Sequence, residues 1–288
     1  MFPIGVNPWV WSSPVDDTAL ADLLPRIAEW GFDAVELPVE QVGDWDPDRT
    51  RKLLDRYGLL AAGVCAVTPP GRDLVRTDPG TVARTQDYLR YCVDSAAALG
   101  APVVGGPLYA AVGRTWRMSP TERATCYTEF RTHLAPVAEY AERHGVSLGI
   151  EALNRYETSV ANTISQVLQL RDGLPDNVGI MIDTYHMNIE ESDPYAAIGV
   201  AGPYIKHVQV SGTDRGAPGR DHLDWPRFLA ALRNTGYRGP ICIESFTSEN
   251  ETIATAASIW RPLAETQDRL ATDGLSYLRR LLAPGGIG

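Results

Sequence analysis

The chain has 288 residues, 44% of them hydrophobic and 22% charged, which supplies one sizeable core and argues against a disordered or fibrous protein. Its 36 Asp and Glu against 26 Lys and Arg leave a formal net charge of -10, a field that repels a phosphate backbone and speaks against a nucleic-acid partner. Lys52 and Lys206 are the only lysines, so no polybasic segment awaits an anionic membrane.

No run of about 18 or more apolar residues suggests a membrane span. The opening MFPIGVNPWVWSSP has no cationic start followed by a long apolar stretch, and a cytoplasmic protein is expected. Cys65, Cys92, Cys126 and Cys242 are far apart and form no CxxC pair, which predicts free buried thiols rather than a zinc knot or a disulfide framework.

Along the chain a short apolar run, a polar loop and a helically spaced segment recur eight times. Strand Ile4–Val6 precedes helix Thr18–Trp30, and Ala34–Leu37 precedes Pro47–Tyr57. Leu60–Val67 leads to Pro79–Leu99, and Pro102–Gly105 to Pro120–His144. The second half continues with Ser147–Leu153 and Thr163–Asp172, then Val178–Asp183 and Pro194–Ala201. Ile205–Ser211 is followed by Asp224–Thr235, and Ile241–Phe246 by a long helix over Ser248–Leu282.

Asp46-Pro47 and Ser119-Pro120 each set a capping side chain before a proline suited to the first helical turn. The first strand is followed by GVNPWVW rather than a GxGxxG turn, which excludes a dinucleotide fold of the usual kind. Eight largely apolar strands without an interdomain linker predict a single-domain (β/α)8 TIM barrel of the α/β class spanning 1–288. In that architecture, residues at the carboxyl ends of the strands gather around one pocket.

Four consecutive strands end on groups suited to a divalent cation: Glu151 in LGIEAL, Asp183 in GIMIDTYH, His207 and Gln209 in KHVQVS, and Glu244 in CIESF. Buried carboxylates are costly without a counter-charge. One alternative is pairing with Arg155 or Arg215, but four strands ending alike favour a metal. On the seventh strand, alternation puts Ile205, His207, Gln209 and Ser211 on one face. Gln209 lies nearer the carboxyl end and is the favoured ligand, through its amide oxygen, with His207 below it as a supporting residue and the alternative ligand. This oxygen-rich donor set suits Mn²⁺, with Mg²⁺ or Co²⁺ as alternatives.

At these residues the sequence resembles the sugar isomerase/epimerase superfamily of xylose-isomerase-like barrels, most closely the D-tagatose/D-allulose 3-epimerases. Segments throughout the chain carry the likeness, among them GVNPWVW, EALNRYETSVANT, NVGIMIDTYHMNIEE, HVQVSGTDRGAPG and GYRGPICIESF. The resemblance implies metal ligation by Glu151, Asp183, Gln209 and Glu244. Gln209 stands where the ketose 3-epimerases usually have His, and hydroxypyruvate-isomerase-like members are similar in using Gln there.

The same likeness implies that Glu157, His186 and Arg215 hold the substrate carbonyl and terminal hydroxyl. Glu151 and Glu244 then act as the catalytic acid and base of a metal-dependent 3-epimerase or isomerase of free ketoses, moving a proton through a metal-stabilised enediolate. Trp9, Trp11, Tyr109 and Trp116 are candidates to cover the sugar's C–H surfaces. Two rival activities are a lyase acting on 3-keto-glycosides, which would need a smaller partner subunit, and a hydroxypyruvate-isomerase-like isomerase. The resemblance further implies a homodimer or homotetramer.

Overall fold

In the computed structural model, which describes residues 1–283, eight parallel strands close into a barrel in sequence order, β1 against β8. The strands are β1 (Ile4–Val6), β2 (Ala34–Val39), β3 (Leu60–Ala66), β4 (Val103–Gly106), β5 (Ser147–Glu151), β6 (Val178–Asp183), β7 (Ile205–Val210) and β8 (Ile241–Ile243). Around them run α1 (Asp17–Trp30), α2 (Pro47–Tyr57), α3 (Pro79–Leu99), α4 (Pro120–Arg143) and α5 (Ile164–Arg171). The ring is completed by α6 (Thr184–Glu190), α7 (Pro194–Ala201), α8 (Trp225–Asn234), α9 (Glu251–Ala256) and α10 (Gln267–Leu282).

The expected caps form. Asp46 accepts from the Arg49 amide at the start of α2, and Ser119 with Glu122 makes a reciprocal capping box on α4. No helix among the described residues is long and apolar enough to cross a membrane. All four cysteines are buried and free, as their spacing predicts.

Two helical expectations need correction. The long helix over Ser248–Leu282 is two helices, α9 and α10, separated by an irregular stretch that contains Ser258 at φ 57 and Pro262. A left-handed residue and a proline both break the i to i−4 ladder, and Thr266 then caps α10 afresh. The second correction is α6, which begins directly after β6 where a loop was expected. Asp183 closes the strand and its side chain also accepts from the Tyr185 amide, so one residue serves both as strand end and helix cap.

Inside the barrel the lower layer is made of small groups, Ala34, Ala62 and Cys242. Glycines above it make room for larger side chains. A Cβ at Gly105 would stand 2.5 Å from the Met181 sulfur, and one at Gly63 would stand 2.9 Å from Val103. Gly106, at the carboxyl end of β4, has φ +137, and a Cβ there would meet the Ala66 carbonyl oxygen at 2.5 Å. Neither the backbone angle nor the space tolerates a side chain, so Gly106→Ala should destabilise the barrel by more than about 1 kcal/mol, read as a fall in Tm by calorimetry.

Candidate active site

The carboxyl ends of β5 to β8 bring Glu151, Asp183, Gln209 and Glu244 to the top of the barrel, all buried. Register places Asp183 of β6 beside Gln209 of β7. Glu244 follows β8 directly, its amide bonded to the Val210 carbonyl. A cavity of about 300 Å³ opens over this cluster. Its polar wall includes Glu151, Glu157, His186, Arg215 and Glu244, and its apolar wall includes Trp9, Val67, Pro107, Phe246 and Ile253. Asp183 and Gln209 lie beneath the lining.

Arg215 is the cation among these acids. One of its nitrogens, Nη1, donates to Asp183 Oδ2 at 2.6 Å and to Glu244 Oε2 at 2.8 Å, while Nη2 stands 3.1 Å from His186 Nε2. The pairing of carboxylates with Arg215 weighed from the sequence is therefore real for two of them. It leaves Glu151 unpaired. Arg155 instead bonds Glu190, away from the site.

Arg215 sits at φ 67 in a tight turn whose carbonyl accepts from Ser245 Oγ at 2.6 Å. A non-glycine residue held there stores strain, here in a residue aimed at the site. Burial opposes its charge, yet Asp183 and Glu244 outweigh burial and hold its pKa above the usual value.

Burial, then the neighbouring charges of Asp183 and Glu244, pushes the Glu151 carboxyl well above the usual range. Burial also raises Glu244, with Arg215 opposing and Asp183 adding to the rise. Burial lowers the His186 imidazole, which favours its neutral form.

His186 has donors against both ring nitrogens, the backbone and side-chain amides of Asn154 at Nδ1 and Arg215 Nη2 at Nε2, and the two at Nδ1 decide the tautomer. The Asn154 backbone N–H donates to Nδ1 at 3.0 Å, so the ring hydrogen belongs on Nε2. That atom faces the site, 3.6 Å from Glu151 and 3.5 Å from Asp183. Glu157 reaches His186 only through Asn154, whose side-chain amide donates to Glu157 Oε1 at 2.6 Å.

Several groups could hold a metal. Glu151, Asp183 and His186 each bring a donor atom within 4.8 Å of the others. Gln209 supplies a further sign: its Nε2 donates to Glu36 Oε2 and Glu244 Oε1, both at 2.9 Å, while its Oε1 is buried with no hydrogen-bond partner among the described residues. A buried carbonyl oxygen without a donor is what a cation would satisfy. Four buried carboxylates, Glu36, Glu151, Asp183 and Glu244, share this region with the Arg215 guanidinium, and the donor set fits a divalent ion. His207 is differently engaged, its Nε2 lying 2.8 Å from Glu36 Oε1 across the barrel.

Three aromatic expectations fail because other partners hold the rings. Trp11 stacks on Trp30 and donates to Asp268, outside the cavity. Tyr109 is fully buried edge-on against Phe130. Trp116 lies under Arg76 and Arg114. Trp9 does line the cavity, tilted against Phe246, a residue not singled out from the sequence. Glu36, Asn7 and Asn154 were also missed. For Glu36, a lone acid within the apolar run AVELPV was the available signal.

Other polar groups prove structural. Arg114 is committed to Asp73 and two backbone carbonyls. Glu190, Glu191 and Asp193 bond respectively to Arg155, the Ile164 amide and the first turn of α7. His222 pairs with Asn188.

Comparison with known proteins agrees with this geometry. The family model described as xylose isomerase-like TIM barrel matches residues 24–281. The L-ribulose 3-epimerase of Methylomonas sp. (strain DH-1) is 31% identical over 283 residues, covering 96% of this chain and 96% of its own. The ketose 3-epimerase of Arthrobacter globiformis is 31% identical over 279 residues, covering 96% and 95%. A solved L-ribulose 3-epimerase superposes with a TM-score of 0.89 at 30% identity, covering 97% of this chain and 94% of its own.

These full-length relatives are epimerases, and they lend no support to the lyase alternative. The barrel, the cluster at the ends of its last four strands and the match along the chain lead to one conclusion: the protein belongs to the xylose isomerase-like TIM barrel family.

Proposed function

We propose that the protein is a metal-dependent ketose 3-epimerase that inverts C3 of a free ketose. The observation that carries the reading is the pair of buried, raised glutamates, Glu151 and Glu244, three strands apart and lining one cavity. Epimerisation requires a base on one face of the carbon and an acid on the other. Strands β5 and β8 approach the cavity from separate sides, so one glutamate can remove the C3 proton while the other returns one. Which acts first follows from the configuration of the sugar.

Glu151, Asp183, Gln209 and Glu244 would hold the cation, Mn²⁺ by the hardness of the donor set. When bound, it supplies Lewis-acid polarisation of the ketose oxygens next to the scissile C–H bond. His186 is read as a donor to substrate rather than a ligand, because Asn154 directs its hydrogen to Nε2. His186 Nε2 and Arg215 Nη2 then form two donors 3.1 Å apart, suited to one acceptor that bridges both from the cavity side: the carbonyl oxygen or terminal hydroxyl. Glu157 accepts from a further hydroxyl, and Trp9 and Phe246 cover the apolar face and exclude water.

Free buried thiols accord with a reducing cytoplasm, and the homo-oligomer expected from the family is part of this reading.

The test is to incubate L-ribulose or D-allulose in D₂O with Mn²⁺ and with EDTA. Deuterium at C3 with Mn²⁺, lost with EDTA and recovered on adding Mn²⁺ back, is the expected result. Label confined to C1 or C2 would make the protein an aldose–ketose isomerase, and exchange undiminished by EDTA would refute the metal requirement.

A further inference from the structure

We infer that Glu36, from a strand outside the ligand-bearing half of the barrel, is a positioning residue that sets which atom of Gln209 faces the metal cluster. The inference rests on the metal reading above and extends it to a residue that reading does not use. Glu36 is 1% exposed and lies in the middle of β2. Its carboxylate faces three side chains: Asn7 Nδ2 at 3.0 Å and Gln209 Nε2 at 2.9 Å, both on Oε2, and His207 Nε2 at 2.8 Å on Oε1. Asn7 is itself locked, because its Oδ1 accepts from the Trp9 amide and leaves only Nδ2 for Glu36.

An amide side chain has two ends of nearly equal shape and opposite hydrogen-bonding sense. For Gln209 the choice is decided by two carboxylates. With Nε2 toward Glu36 and Glu244 it makes two hydrogen bonds, whereas reversal would put its oxygen 2.9 Å from each acid. Glu244 alone could not hold this orientation dependably, since it also answers to Arg215 and is assigned to proton transfer. Glu36 has no such competing task. The consequence is that Oε1, the only metal-competent atom of Gln209, is the end left without a partner.

The same carboxylate takes His207 Nε2, which ties the imidazole across the barrel. One buried acid thus selects the amide as ligand, while His207, whose Nδ1 is left buried without a partner, stands outside the cluster of Glu151, Asp183 and His186 donor atoms. Groups that orient a ligand from behind in this way ordinarily matter for affinity, by about 10- to 100-fold when removed.

Glu36→Gln tests this, with Mn²⁺ dissociation constants obtained from the EPR signal of free Mn²⁺ and folding followed by circular dichroism. A Gln at position 36 offers its own N–H to the network and rewards the reversed Gln209 amide. E36Q should bind Mn²⁺ about 10- to 100-fold more weakly than the parent. In a Gln209→Ala background the same change should cost little more, because Glu36 acts through Gln209. Glu36→Asp keeps a carboxylate acceptor and should lose less affinity than E36Q; it also serves if E36Q does not fold.

Unchanged Mn²⁺ affinity in folded E36Q overturns the inference and leaves the metal site standing. So do additive losses in the double variant, or an E36D as weak as E36Q. Failure of the parent protein itself to bind Mn²⁺ removes the metal reading, and this inference with it.

Discussion

Glu151→Gln should lower C3 deuterium exchange by about 10²- to 10⁴-fold, the range that a positioned acid or base contributes, while leaving the fold intact. Gln is nearly isosteric with Glu but cannot carry the proton. Glu151 suits this substitution because it has no close hydrogen-bond donor among the described residues; its nearest cationic or potentially cationic neighbour there is His186 Nε2 at 3.6 Å. An amide there breaks no existing bond.

Glu244→Gln should lose exchange to a similar degree, but with some loss of stability. Its two oxygens accept from Gln209 Nε2 and Arg215 Nη1, so an amide at position 244 must turn an N–H toward one of two donors. The measurement is NMR of ketose incubated in D₂O with each variant, alongside thermal melts. Because either glutamate can begin the reaction, depending on the configuration at C3, each variant should fail in both directions. Undiminished exchange in either one would remove that residue from proton transfer.

What the sequence makes legible is whatever interrupts a regular pattern. Glu151, Asp183 and Glu244 stand at or just beyond the ends of otherwise largely apolar strands, and a closed barrel brings such positions together. The choice between Gln209 and His207 begins from alternation, which puts both on one face and cannot say what each touches. The structure shows that both meet Glu36, a residue 171 positions from His207 and on the far side of the barrel. No local spacing announces such a contact.

The aromatics mark the opposite limit. Trp9 and Trp11 are two residues apart in one short segment, yet the first faces the cavity and the second stacks on Trp30 of α1. Near Trp9 the chain makes a single turn of 3-10 helix, and the side-chain directions there follow neither strand nor helix periodicity. Tyr109 and Trp116 likewise depend on what happens to pack over them. His186 is legible as three residues beyond Asp183, although its placement depends on α6, whose start Asp183 caps with its own side chain.

Arg215→Ala should destabilise the metal-free protein by about 3–5 kcal/mol, the cost of removing one partner from a buried ion pair. The guanidinium is the cation that Asp183 and Glu244 share, at 2.6 and 2.8 Å. Without it these carboxylates are buried beside Glu151 with no positive group against them. Lysine is a poor substitute, because the planar fork reaches Asp183 and Glu244 with one nitrogen and His186 with the other.

The same electrostatics predicts a reciprocal effect of metal. A divalent cation becomes the remaining counter-charge for the acids in the variant and no longer meets repulsion from the guanidinium, so Mn²⁺ should raise the Tm of Arg215→Ala more than that of the parent. At a hundredfold excess over its dissociation constant, a bound ion contributes about 2.7 kcal/mol, enough to recover a large part of the loss. Activity should not recover with stability, because the variant also lacks one of the two donors directed at the substrate oxygen. Paired melts in EDTA and in Mn²⁺, with ketose turnover measured on the Mn²⁺-loaded variant, separate these roles. Equal Mn²⁺ stabilisation of both proteins would mean that the cation and the guanidinium do not answer to the same carboxylates.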